Sequence, residues 1–141
     1  MKYRTLTVLA VVVTMFSIGH HIDHIIRGNH VGWPLIPEVT PFTYSLGFYP
    51  VIAVGFFLWA RGRIGAGFWA ILSVIGILFV TLVHFGPFAA EPPQDILTPY
   101  SSPVFGWLAL AWLGGFILML ATTSVYAIRL WSQQRGKSSL E

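Results

Sequence analysis

The chain contains no cysteine. This excludes disulfides, zinc–thiolate sites, cysteine nucleophiles and cysteine-ligated iron–sulfur clusters. Charge is also scarce: Asp, Glu, Lys and Arg make up 9% of the 141 residues, against roughly 25% in soluble globular domains. So few charges cannot cover a surface that faces water on all sides, so a soluble enzyme is excluded. Acids are the rarer sign, five against eight Lys and Arg. Apart from Asp23 near one end of a run, no carboxylate lies within a long apolar stretch. A proton relay across a whole membrane and a carboxylate-bridged diiron site therefore both lack their residues. No Gly-rich phosphate loop, serine-elbow motif or HExxH is present.

What the chain has in quantity is apolar surface: 55% of it is hydrophobic and the mean hydropathy is +0.73. A hydrocarbon core about 30 Å thick needs about 20 mostly apolar residues per helix. Four stretches meet that requirement, at about 5–26, 43–60, 65–85 and 104–131. The sequence thus predicts an all-α integral membrane protein, a four-transmembrane-helix bundle in one domain over 1–137. Residues 138–141 are expected to be a flexible tail, and Leu140-Glu141 has the look of a cloning scar. Arg61-Gly62-Arg63-Ile64 is short enough to make the second and third helices an antiparallel hairpin. All nine prolines lie in or at the edges of the other two connections, and Pro50 should bend the first turns of the second span. The N-terminal run resembles a leader, but its apolar pattern continues past Gly19 to Ile26, so it reads as a span.

Charge orients the bundle. Lys2, Arg4, Arg61, Arg63, Arg129, Arg135 and Lys137 fall on one side, while Asp23, Glu38, Glu91 and Asp95 fall on the other with only Arg27. The positive-inside rule then places both termini in the cytoplasm and the protein in the cell (inner) membrane. The basic excess is a topology signal, so nucleic-acid binding is rejected; the lipid bilayer is the expected partner. Trp59, Trp69 and Trp131 are expected at the inner interface, Trp33 and Trp107 at the outer one. Ala66-x-x-x-Ala70 and Ala111-x-x-x-Gly115 permit close helix packing, within the chain, in a homo-oligomer or in a larger membrane complex. Thr40-Pro41-Phe42-Thr43 and Thr98-Pro99-Tyr100-Ser101, each followed by a Gly-aromatic pair, hint at two repeated helical hairpins. Converging helix-entry chemistry would give the same pattern.

All five histidines, His20, His21, His24, His30 and His84, fall on the outer half. At 100° per residue, His20, Asp23, His24 and Arg27 share one stripe of the first helix above Leu9, Val13 and Phe16. Ile22, Ile25 and Ile26 occupy the face suited to lipid. His84 ends a matching line on the third span, at a similar depth. If those helices are neighbours, His20 and His24, four residues apart, can chelate an ion that His84 completes. The ion would be a transition metal such as Zn, Cu or Fe. Asp23 would then be a fourth ligand, or would orient an imidazole. Haem held between two imidazoles uses the same residue type. The plainer alternative is a set of polar helix-end residues bonded to loops, with Asp23 and Arg27 an ordinary ion pair. That alternative is favoured for His21 and His30, and solvated loop charge is favoured for Glu38, Glu91 and Asp95.

The leading expectation is an inner-membrane protein with an outward-facing His/Asp cluster that binds a transition metal or haem, serving metal handling, sensing or electron transfer. The alternatives are a transporter or channel subunit gated at the cluster, a structural or assembly protein without cofactor, and a membrane enzyme acting on a lipid-like substrate. Whether the chain is an enzyme is left open by the residues, which lean against it. A transporter predicts a polar cavity reaching well below His20; a lipid enzyme predicts an opening beside the cluster.

Overall fold

A computed structural model describes residues 2–28 and 40–138; His30, Trp33 and Glu38 lie outside the described residues. Every regular element among those described is helical: α1 (Lys2–Arg27), α2 (Pro41–Ser45), α3 (Phe48–Ala60), α4 (Ala66–Phe85), α5 (Pro93–Leu97) and α6 (Pro103–Ser138). Four helical stretches are long and apolar enough to cross a membrane: Tyr3–Arg27, Pro41–Ala60, Ala66–Phe85 and Pro103–Gly136. They correspond to the four spans expected from hydropathy. The last is longer than expected: α6 has 36 residues, about 54 Å at about 1.5 Å per residue, and outruns a core of about 30 Å.

The second span is broken, and the position of the break has a local cause. Thr40 caps α2, its hydroxyl accepting from the Thr43 amide, and Pro41 occupies the first turn, where no amide donor is needed. A continuous helix would need a Pro50 amide to bond Leu46, which proline lacks. The chain instead tightens through three-residue bonds, Gly47 N to the Tyr44 carbonyl at 3.1 Å and Tyr49 N to that of Leu46 at 3.2 Å, across the junction of α2 and α3. The turn between α3 and α4 uses Gly62 at φ 66°, a left-handed conformation that costs glycine little.

Helix α6 packs against α1, α4 and α5. Small residues let the helices approach closely: Ala10, Ala66, Ala70 and Ala127 form one half of the core with Leu6, Trp69 and Leu130. The Ala66/Ala70 pair is thus used inside the chain. Trp69, expected as an interface residue, is instead 3% exposed. Phe56 of α3 packs against it at a tilt, 4.7 Å between ring centres, and Phe68 meets it edge-on, so aromatic packing satisfies it better than the membrane boundary would. The other half of the core is Val80, Ile96, Leu113, Phe116 and Leu120.

Gln134 donates to the Tyr3 hydroxyl at 3.1 Å, and Tyr3 packs on Trp59 at 5.5 Å. The start of α1, the end of α3 and the end of α6 therefore share one end of the bundle, opposite the histidines. Thr40-Pro41 and Thr98-Pro99 differ locally, since the first pair opens α2 and the second follows α5.

Two glycines set the approach of α6 to α1, Gly115 beneath the Phe16 ring and, more tightly, Gly19. A Cβ on Gly19 would lie 2.5 Å from the Trp112 ring. That indole donates to the Phe16 carbonyl at 2.9 Å and stacks on the Phe16 ring at 4.6 Å. Gly19→Leu is expected to destabilise the fold by about 1–3 kcal/mol through overpacking, seen as a lower thermal midpoint in detergent. An unchanged midpoint would mean that the indole moves aside without cost.

Candidate metal centre

The helical period of α1 decides which of its residues face inward. His20, Asp23 and His24 are buried, whereas Ile22, Ile25 and Ile26 are 49%, 62% and 67% exposed. That separation matches a stripe turned to the bundle interior and an isoleucine face turned to lipid. From α4, His84 enters the same space and is only 2% exposed.

The three imidazoles converge. His20 Nε2 lies 3.2 Å from His84 Nε2 and 3.2 Å from His24 Nε2. One ring nitrogen from each residue lies within 4.8 Å of the others, a group that could hold a metal ion. Zinc–imidazole bonds of about 2.0–2.1 Å place the nitrogens of a tetrahedral site about 3.3–3.4 Å apart. The two separations of 3.2 Å are close to that edge.

Hydrogen-bond bookkeeping points the same way. His84 Nδ1 donates to the Glu91 carbonyl at 2.8 Å. In the neutral ring this leaves a lone pair on Nε2, directed at His20. His20 Nε2 carries either one proton or one lone pair, yet it faces two other Nε2 atoms. One proton cannot serve both contacts equally, whereas a cation between the rings would engage all three lone pairs. The residues present therefore suit a transition-metal ion. They do not suit haem, whose two axial nitrogens must stand on opposite faces of a macrocycle rather than crowd together.

Beyond the imidazoles lies a charged layer. Arg27 Nη1 binds Glu91 Oε1 at 2.5 Å and the Asp95 carbonyl at 3.1 Å. Its Nε binds Asp23 Oδ2 at 2.9 Å, and the other oxygen of Asp23 accepts from the Tyr100 hydroxyl. Asp23 thus directs both oxygens at Arg27 and Tyr100 and does not belong to the converging nitrogen group. Burial pushes the Tyr100 hydroxyl up to about 12, and its bond to Asp23 and that carboxylate's charge add to the rise.

Glu91 overturns its expected place in solvent. It is 1% exposed, with Oε2 3.3 Å from His24 Nε2 and 3.5 Å from His84 Nδ1. Burial pushes its carboxyl above the ordinary value, while the bond and charge of Arg27 pull it back. The backbone explains the burial. After α4 stops at Gly86-Pro87, the loop folds over the helix end and Glu91 N bonds the Val83 carbonyl at 3.0 Å. Pro92, extended at φ −65° and ψ 163°, then leads the chain into α5.

A second polar group flanks the first. His21 Nδ1 donates to the Ser17 carbonyl at 2.9 Å, with the Tyr49 hydroxyl 2.8 Å away. Its Nε2 lies 2.7 Å from Ser45 Oγ. For His21 the structural role is what the contacts describe: it ties α1 to α2 and α3. Sequence reading missed Glu91, Tyr100 and Ser45 as neighbours of the site. For Glu91 the available signal was the helix stop after His84 together with Pro92-Pro93.

Among the described residues, fold and site together are all-helical, with four apolar, membrane-length stretches and a buried three-histidine group at one end of the bundle. No family model, curated protein or solved structure matches the chain.

Proposed function

We propose that the protein binds one transition-metal ion, Zn, Cu or Fe, at His20, His24 and His84 near the outer face of the cell membrane. It would serve metal handling or sensing. The observation that carries this reading is the pair of 3.2 Å Nε2 separations among three buried imidazoles from two helices. Neutral imidazoles are the usual nitrogen ligands for these ions. Glu91, through its carbonyl on His84, supports the ligand set from outside. Asp23 does so through Arg27, which also holds Glu91. The outward placement follows from the basic residues near the opposite end and the positive-inside rule.

A gated transporter is less well supported, because the space below His20 is lined mainly by apolar residues such as Val13, Leu72 and Phe116, with the hydroxyls of Thr14, Ser17 and Ser73 but no ionisable group among them. Elemental analysis of detergent-purified protein, wild type beside the H20A/H24A/H84A variant, tests the proposal. One ion per chain in the wild type and none in the variant is expected. Wild-type protein that takes up no added Zn²⁺, Cu²⁺ or Fe²⁺ would overturn it and leave the histidines as a structural tie.

A further inference from the structure

The three imidazoles and Glu91 line one end of a cavity that continues between α1, α3, α4 and α6. Below them its walls are mostly apolar, with Ile52, Leu72, Phe79 and Phe116 among them and hydroxyls only from Thr14, Ser17 and Ser73, and it reaches Trp69. Both His84 and Trp69 line it, and the rise of α4 between them gives a length of about 22 Å. Water-molecule centres can occupy about 90 Å³ of it. Spread evenly over that length, with the radius of a water molecule added back, this volume corresponds to a passage averaging about 5 Å across. Such a channel is wide enough for one extended hydrocarbon chain and too narrow for fused rings. At about 1.25 Å per carbon of zigzag chain, it accommodates about 16 carbons.

We propose that this channel seats a single-chain fatty carboxylate, its hydrocarbon tail between α3 and α4 and its head at the three imidazoles. The largely apolar walls carry the tail assignment: the Thr14 and Ser73 hydroxyls already donate to carbonyls of their own helices, so water in the passage would find few hydrogen-bond partners, whereas a hydrocarbon chain supplied by the bilayer needs none. The head assignment rests on the metal reading. Three neutral imidazoles leave the charge of a divalent ion uncompensated and one coordination position for an outside ligand. Arg27 neutralises one carboxylate of the Asp23 and Glu91 pair, and Glu91 Oε2 stands beside His24 rather than within the group of three nitrogens, so an outside anionic oxygen suits the remaining position. Ser45 and His21 also line this end, adding polar partners near the head.

Native mass spectrometry of Zn²⁺-loaded protein released from detergent tests both parts. One C16 carboxylate per chain is expected, with at least tenfold less of the C16 trimethylammonium analogue and of a two-chain phospholipid. Leu72→Trp and, as a second filler from another helix, Ile52→Phe should each lower carboxylate occupancy at least tenfold while keeping one zinc per chain. In H20A/H24A/H84A the chain should remain but the preference for carboxylate over trimethylammonium should vanish. Equal occupancy in wild type and in both folded filler variants would overturn the channel, as would equal binding of phospholipid. Protein that takes up no zinc but holds the chain in a filler-sensitive way would refute the metal reading and uphold the channel.

Discussion

His84→Ala is expected to lower affinity for Zn²⁺ about a hundredfold or more, measured by competition with a chromophoric chelator in detergent. The residue supplies the only nitrogen of the group that comes from α4, so its loss leaves an i, i+4 pair on α1 with no partner across the bundle. Glu91→Gln should cost less, within about tenfold. Changing an outer partner typically costs 10–100-fold, but here the group that orients His84 is the Glu91 backbone carbonyl, which the substitution retains. The difference between the two variants is the informative quantity. Equal, small effects would place the ion elsewhere and refute the three-histidine site.

Arg27→Ala is expected to be the most destabilising single change in the molecule. The guanidinium side chain is fully buried and faces Glu91 at 2.5 Å and Asp23 at 2.8 Å, with those side chains only 2% and 11% exposed. Removing one partner of a buried charge pair costs about 3–5 kcal/mol, because the other charge stays desolvated. Here two carboxylates are left, together with the Asp95 carbonyl that Arg27 also binds. The loss should appear as a lower thermal midpoint of metal-free protein. It should also depend on pH. Burial already pushes the Glu91 carboxyl above its ordinary value, and Arg27 is what pulls it back. Without Arg27 that carboxyl rises further, so the folded variant favours the protonated form. Stability contributed by the protonated carboxyl is present at low pH and lost as pH rises through the raised value. The deficit of Arg27→Ala should therefore narrow on acidification. A deficit that stays constant from neutral pH down through the carboxylate range would show that Arg27 acts by packing alone.

Much of the site could be read from spacing. The placement of His20, Asp23, His24 and Arg27 on one face of α1 needs only the helical period, and the adjacent isoleucines mark the lipid side. His84 could be matched to them in depth because residue counts along two spans translate directly into distance along the bundle. Glu91 could not be found in this way. It stands in a loop with no period, and an isolated acid among prolines ordinarily faces water. Its burial depends on where the loop goes after α4 stops, on the Val83 carbonyl that catches its amide, and on Arg27 waiting at the end of another helix. Trp69 was misplaced for a related reason: position along the chain suggested the membrane boundary, whereas the ring packs against Phe56 and Phe68.

The sequence by itself determined four apolar helical stretches, the end of the bundle that holds the histidines, and the side of α1 they occupy. These follow from transfer of apolar helices into hydrocarbon and from a fixed rise and turn per residue, both local properties of the chain. Only the tertiary structure decided that α1 and α4 bring three imidazole nitrogens together, that Arg27 joins Asp23 to Glu91, and that an apolar channel runs beneath them. Those features arise from contacts between residues 64 or more positions apart. Such contacts depend on how the helices pack against one another, through Gly19 beneath Trp112 and the alanines of the core, and no local periodicity encodes that.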